Sequence, residues 1–195
     1  MNSLHQITLG TALVAGAIVG QAVALAGPSA RCLDKPETFV GAFVGVPSIT
    51  VNENGTQNIS FLGLGTLTGI GDALCHSSDE LFVPWGDPQV TGHYTLSGDH
   101  GESVVIAIAS TSTSATPVAF DANGIPTKLH LTIEGTWTIV SGTGRYHGAA
   151  GDGVLSVVSD VTFTGPTTLQ GFARWALWGD IAVVRPGRGH CDGRQ

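Results

Sequence analysis

Acid–base chemistry needs a carboxylate held within a structural element, and two positions offer one. Glu134 lies in Ile133-Glu134-Gly135, and Asp160 in Val157-Val158-Ser159-Asp160-Val161. A carboxyl turned into an apolar interior has a raised pKa and can exchange a proton near neutrality. The two differ in parity. Glu134 falls on the polar side of its run, opposite Leu131 and Ile133, which is the pattern of an exposed or inter-subunit side chain, whereas Asp160 follows a more apolar run. Arg174 sits among Phe172, Trp175 and Trp178. It has two readings: a clamp for a carboxylated ligand at a barrel mouth, or a guanidinium stacked on an indole from outside. Asp160, Glu134 and Arg174 are the catalytic candidates, and no further group is spaced to complete a constellation around them.

Other chemistries have less support. No serine stands in a Gly-x-Ser-x-Gly elbow, so nucleophilic hydrolysis has no motif. The pairs Cys75-His76 and His190-Cys191 add up to four metal ligands. Neighbouring side chains on an extended backbone point apart, however, and the usual two-residue spacer is missing. His93, His100, His130 and His147 show no ligand spacing either, so no metal or cofactor is expected. Gly142-x-Gly144-x-x-x-Gly148 resembles a nucleotide fingerprint. It lacks a following helix to present its N-terminus to a phosphate, and no Gly-Lys-Ser/Thr is present. The reading is instead a structural turn, with Gly142, Gly144 and Gly148 supplying backbone freedom and Tyr146 packing down as an anchor.

The elements that position these residues follow from composition and patterning. A chain of 195 residues suits one domain with a substantial core. With 42% hydrophobic and 12% charged residues it should fold rather than remain disordered. Fifteen acidic against eight basic residues give a net charge of -7, and the basic ones are scattered. That excludes the basic stripe of a nucleic-acid binder, and Arg185, Arg188 and Arg194 read as part of a solvated tail.

From Ile7 to Val23 the chain is apolar and uncharged, and Ala24-Leu25-Ala26 offers small residues where a signal peptidase cleaves. We expect a signal peptide over residues 1–26, a lead over 27–37, a barrel domain over 38–184 and a tail over 185–195. The apolar stretch is short for a membrane span and lacks a basic stop-transfer flank, so no span is expected once the signal is removed. The mature chain is then secreted, extracellular or periplasmic. In an oxidising compartment three cysteines, Cys32, Cys75 and Cys191, give one disulfide and one thiol. Sequence leaves all three pairings open, although Cys32 with Cys191 would tie together the two ends of a closed barrel.

β-rich runs fill the domain: Thr38–Val51, Gln57–Ile70, Asp79–Trp85, Gln89–Gly98, Glu102–Thr111, Lys128–Val140, Gly153–Thr164 and Thr168–Val184. No amphipathic helix appears. Alternation is clearest where Leu129, Leu131, Ile133, Trp137 and Ile139 share one parity. In the last run Trp175 lies on one face, while Phe172 and Trp178 lie on the other. Both faces must be partly covered, by a lumen inside and either an oligomer or the N-terminal lead outside. About eight strands without covering helices favour closure, which removes exposed edges; a two-sheet sandwich is the main competitor, and the glycines within strands, as in Phe61–Thr66, suit a small barrel better.

One stretch carries a signature. Gly135-Thr136-Trp137-Thr138-Ile139, then Gly142-Thr143-Gly144-Arg145-Tyr146-x-Gly148-Ala149-x-Gly151-x-Gly153, is similar to the signature of the allene oxide cyclase-like, or dirigent-like, barrels. That group includes plant dirigent proteins, plant allene oxide cyclases and many secreted bacterial proteins. Gly63–Gly69 and Tyr94–Glu102 look like its earlier strands, and the resemblance spans roughly residues 57–184. It implies an all-β, calycin-type, closed antiparallel eight-stranded barrel, often trimeric, with an apolar lumen for a hydrophobic ligand. No catalytic residue of the family aligns onto this chain.

The expectation is therefore a secreted barrel that binds a small apolar molecule in a lumen lined by Leu129, Leu131, Ile133, Trp137 and Trp175, or that serves as a stable extracellular module. The alternative is a cyclase, isomerase or dirigent-like stereochemical guide acting on an apolar substrate. A homo-oligomer, dimer or trimer, fits either reading.

Overall fold

The computed structural model describes residues 35–84 and 88–184. The expected signal peptide, Cys32, Cys191 and the expected tail over 185–195 lie outside these residues. Eight strands follow in order: β1 Glu37–Val51, β2 Gln57–Leu67, β3 Gly71–Val83, β4 Gln89–Gly98, β5 Ser103–Phe120, β6 Pro126–Gly142, β7 Ala150–Phe163 and β8 Thr168–Ala182. Each pairs antiparallel with the next, and β8 returns to β1, so the sheet is a closed eight-stranded barrel. The only helical element among the described residues is a 3-10 turn over Gly144–Tyr146.

Most strands differ in their bounds from the sequence expectation, β2, β3 and β5 among them. β2 stops at Leu67 because Gly69 takes a positive φ of 79° in the turn that follows. β3 begins at Gly71 rather than Asp79. β5 runs on to Phe120 rather than ending at Thr111, and beyond Ala109 it pairs only with β6.

Period-two alternation puts one residue set inside. Phe39 and Phe43 of β1, Phe61 and Leu67 of β2, Tyr94 and Leu96 of β4, Val104 and Ile106 of β5, Trp137 of β6, Leu155 of β7 and Trp175 and Leu177 of β8 are buried in one core cluster. A smaller cluster of Ile49, Val161 and Leu169, with Leu129 and Leu131 against it, packs at one end of the barrel. The other end is closed by the Gly-bracketed turn. Gly144 and Gly148 have φ of 58° and 76°, which lets the chain double back and bury Tyr146 against Phe39, at 6.4 Å between ring centroids. The Arg145 guanidinium lies over the Tyr146 ring and donates hydrogen bonds to the Gly69 carbonyl and the Tyr146 hydroxyl, tying this turn to the β2–β3 turn.

Glycine is used where an aromatic ring must lie flat against the wall. Gly153 and Gly179 are register partners on β7 and β8. A Cβ on either would meet the Trp137 indole at 2.8 or 2.7 Å, so the indole fits inside only because both positions lack a side chain. Phe43, Trp175, Tyr94 and Phe61 then cross the barrel centre as a chain of rings, with centroid spacings of 5.4, 4.7 and 6.1 Å.

Candidate functional site

Regular alternation from Ala73, Cys75 and Ser77 would point Asp79 inward and Glu80 outward. The reverse is observed. Ile59 and Phe61, two apart on β2, pair with Glu80 and Ser77, three apart on β3, so β3 carries one extra residue. The same slip appears against β4, between His76 and Leu81. This β-bulge re-aims the strand. Asp79 turns out, where its carboxylate accepts hydrogen bonds from the His93 backbone N–H at 2.9 Å and faces His93 Nδ1 at 2.7 Å. Glu80 turns in and is 3% exposed. Across from it β4 has Gly92, where a Cβ would come within 2.9 Å of the Glu80 side chain. The missing side chain is what admits the carboxylate.

Glu80 therefore sits in the lumen beside Tyr94, Ser77 and Cys75, all buried. Burial raises its pKa from 4.5 to about 7; Asp79 adds to the rise, and the Tyr94 and Ser77 hydroxyls oppose it. Burial and the Glu80 charge also push the Cys75 thiol and the Tyr94 phenol up, so both stay protonated at neutrality, where Glu80 can gain or lose its proton. Glu80 and Tyr94 border a cavity of about 40 Å³ with otherwise mostly apolar walls, among them Pro47, Ile49, Ile59, Leu131, Ile133 and Val157. That is room for about three water-sized groups.

Hydrogen bonding is incomplete around this point. Glu80 Oε2, Ser77 Oγ and Trp175 Nε1 are buried with no partner. Elsewhere the lumen satisfies its polar atoms: Trp137 Nε1 donates to the Val154 carbonyl at 3.1 Å, and Ser159 Oγ to the Phe172 carbonyl at 3.1 Å. Buried polar atoms are nearly always paired, so the unpartnered Glu80 Oε2, at the wall of this cavity, marks a place where the barrel can accept an outside hydrogen-bonding group.

No family model, curated protein or solved structure matches the chain. Its functional reading therefore rests on its own geometry.

All five lumen residues expected from the sequence point inward, but they do not form one site. Leu131 and Ile133 line the cavity, and Leu129 packs in the end cluster. Trp137 lies beside Phe39 near the closed end, and Trp175 stacks on Tyr94 at mid-barrel. The three catalytic candidates require a correction, because all are on the outer wall. Glu134 accepts a hydrogen bond from Ser156 Oγ at 2.8 Å. Asp160 faces His130 at 3.1 Å, and that contact holds its carboxyl below the usual range. Arg174 lies midway along the outside of β8, away from either mouth, beside Val44 and Val158. Strand parity is the cause: each is offset by one from inward Ile133, Ser159 and Ala173. Cys75 points into the core while His76 is exposed, and among the described residues no three His, Cys, Asp or Glu side chains cluster as metal ligands.

Glu80, Tyr94, Ser77 and Cys75 escaped the sequence reading. The available signal was the polar run His76-Ser77-Ser78-Asp79-Glu80 placed between Leu74 and Leu81, too long for a strand to keep wholly outside.

Proposed function

We propose that this chain is an exported barrel of the allene oxide cyclase-like kind that binds a small molecule with an apolar body and one hydrogen-bonding group, the latter held by Glu80 and Tyr94. The observation that carries this reading is Glu80 Oε2, an unpartnered carboxylate oxygen at an apolar cavity. A small apolar pocket with few convergent polar groups is the ordinary form of a ligand site. The cavity also limits the ligand. Some three heavy atoms in about 40 Å³, at no more than about 1.5 kcal/mol each, correspond to roughly millimolar affinity. Tighter binding requires the Leu131 and Ile133 wall to yield.

Native mass spectrometry of protein recovered from its own culture medium tests the proposal. The expected result is a bound small molecule that is lost when Glu80→Leu removes the polar anchor. Apo protein alone, with no thermal shift from small alcohols, acids and amides, would leave the stable-module reading, which the central chain of packed rings favours.

A second reading is an isomerase or cyclase. Glu80, whose pKa is raised to about 7, facing a phenol that stays protonated, is a base and an acid in one apolar compartment. Turnover of a candidate substrate with a pH profile that breaks near Glu80's pKa, and is flattened by Glu80→Gln, would favour it. The burial of Cys75 in the core supports a Cys32–Cys191 disulfide in the exported chain, which non-reducing peptide mapping would detect.

A further inference from the structure

Inside the barrel one charge stands alone. Among the described residues Glu80 is the only buried carboxylate, and no lysine, arginine or histidine is buried with it. The titratable groups around it are Cys75 and Asp79 of its own strand and Tyr94 of β4. The cavity walls supplied by β1, β2, β6, β7 and β8 contain none. Cys75 and Tyr94 stay protonated and Asp79 is a carboxylate on the outer side, so no neighbour supplies a positive charge. A buried anionic oxygen with neither counter-charge nor donor is costly, and Glu80 Oε2 is such an atom.

We propose that the group held at Glu80 is a protonated amine, so that the ligand of this cavity is a short primary alkylammonium ion. The proposal rests on the reading of the cavity as a small-molecule site and narrows it to one class. Hydrogen-bonding polarity is the first argument. Three side chains bring polar atoms to the cavity wall, Glu80, Tyr94 and Ser159. Ser159 Oγ already gives its proton to the Phe172 carbonyl, and the Tyr94 hydroxyl is hydrogen-bonded to Glu80. With both protons committed, the wall offers acceptors only. A primary ammonium is the complementary head, with three N–H donors and no acceptor. A hydroxyl brings one donor, and a carboxylate would set a second negative charge beside the first. The lining is the second argument. Phe61 and Tyr94 both border the cavity, with ring centroids 6.1 Å apart and planes inclined at 57°, and Trp175 stacks on Tyr94 at 4.7 Å. Aromatic rings stabilise a cation that has left water, while Ile59, Leu131 and Ile133 suit a short alkyl chain. Size is the third. A volume of about 40 Å³ admits about three heavy atoms, a nitrogen and two carbons. The net charge of -7 also favours the approach of a cation over that of an anion.

The test is an NMR titration of the full chain with ethylamine, ethanol, acetamide and acetate at constant ionic strength, read on the methyl groups of Ile59, Leu131 and Ile133 at pH 6 and pH 8. Ethylamine should shift these methyls with a dissociation constant in the roughly millimolar range, and the other three should bind at least about tenfold more weakly. Ethylamine stays charged over this range, whereas Glu80 passes through its pKa of about 7. Its affinity should therefore rise about tenfold from pH 6 to pH 8. Glu80→Gln keeps the shape and should weaken ethylamine at pH 8 by about tenfold or more, leaving no pH dependence. Ethanol, acetamide or acetate binding as tightly as ethylamine, and released by Glu80→Gln, would overturn the amine assignment while leaving Glu80 as a polar anchor. Ethylamine binding that is flat with pH, or that survives Glu80→Gln, would overturn the assignment too. No shift from any of the four would overturn it together with the binding reading on which it rests.

Discussion

Glu80 should make this protein less stable as pH rises through neutrality, and the size of the effect follows from its burial. A carboxyl whose folded pKa is raised, from 4.5 to about 7, binds its proton more tightly in the folded than in the unfolded chain. Below the unfolded value both forms are protonated and the group has no effect on stability. Between the two values the unfolded chain ionises first, so stability falls, and above about 7 the loss is complete. At about 1.4 kcal/mol per unit of difference, the loss amounts to about 3 kcal/mol, a large share of an ordinary folding free energy. Glu80→Gln removes the titration while keeping the shape. The measurement is urea unfolding followed by tryptophan fluorescence at pH 4.5, 6, 7 and 8.5 for both proteins. The difference between them should widen by about 3 kcal/mol in favour of the variant across that range. Using the difference cancels groups common to both. Asp79, the adjacent carboxyl, does not interfere: burial raises its pKa but the His93 hydrogen bonds outweigh this and lower it, so its contribution is lost only at more acid pH. A difference that stays constant with pH within about 0.5 kcal/mol would refute the burial of an ionisable Glu80.

Asp79→Ala frees the outside of the bulge and should lower both stability and any ligand affinity; because Asp79 adds to the rise in the Glu80 pKa, the pH-dependent difference measured above should shrink, and an unchanged slope would show that Asp79 does not act on Glu80. Trp137→Ala empties the space over Gly153 and Gly179 and should cost about 3–5 kcal/mol in chemical denaturation. Gly171→Ala pushes a Cβ into the Asp160 carbonyl across the β7–β8 ladder and should destabilise by about 1–3 kcal/mol, read as a lowered melting temperature. Glu134→Gln, Asp160→Asn and Arg174→Gln act on the outer wall and should each leave stability within about 0.5 kcal/mol and lumen binding unchanged.

β6 was legible because its inner face is unbroken: Leu129, Leu131, Ile133, Trp137 and Ile139 keep one parity over its length, and the glycines that follow permit only a tight return. Closure could be inferred from strand number and the lack of covering helices. β3 was half-read, since alternation assumes two residues per repeat and its bulge inserts a third, moving Glu80 to the face where Asp79 was due. The polar candidates on β6, β7 and β8 were conspicuous because they interrupt apolar runs, yet interruption at the outward parity is what a solvated wall produces. The far half of β5 was missed for a related reason. Its Ser112–Thr116 segment, paired on one side only, has no inner contacts strong enough to impose an apolar pattern.

The seam between β1 and β8 governs how the chain can be made. Glu37 pairs with Ile181 and Thr50 with Thr168, segments from opposite ends of the fold. Until β8 has left the ribosome, the nascent polypeptide is a seven-stranded ribbon with two bare edges, each able to recruit a strand from a neighbouring molecule. Such distant pairing is intrinsically late and slow, so a stop codon anywhere in β8 should yield aggregates rather than a weakened product. The same seam brings both exits of the ring side by side. A short linker joining residues 35 and 184, with new termini cut between Asn123 and Gly124, would leave every ladder intact.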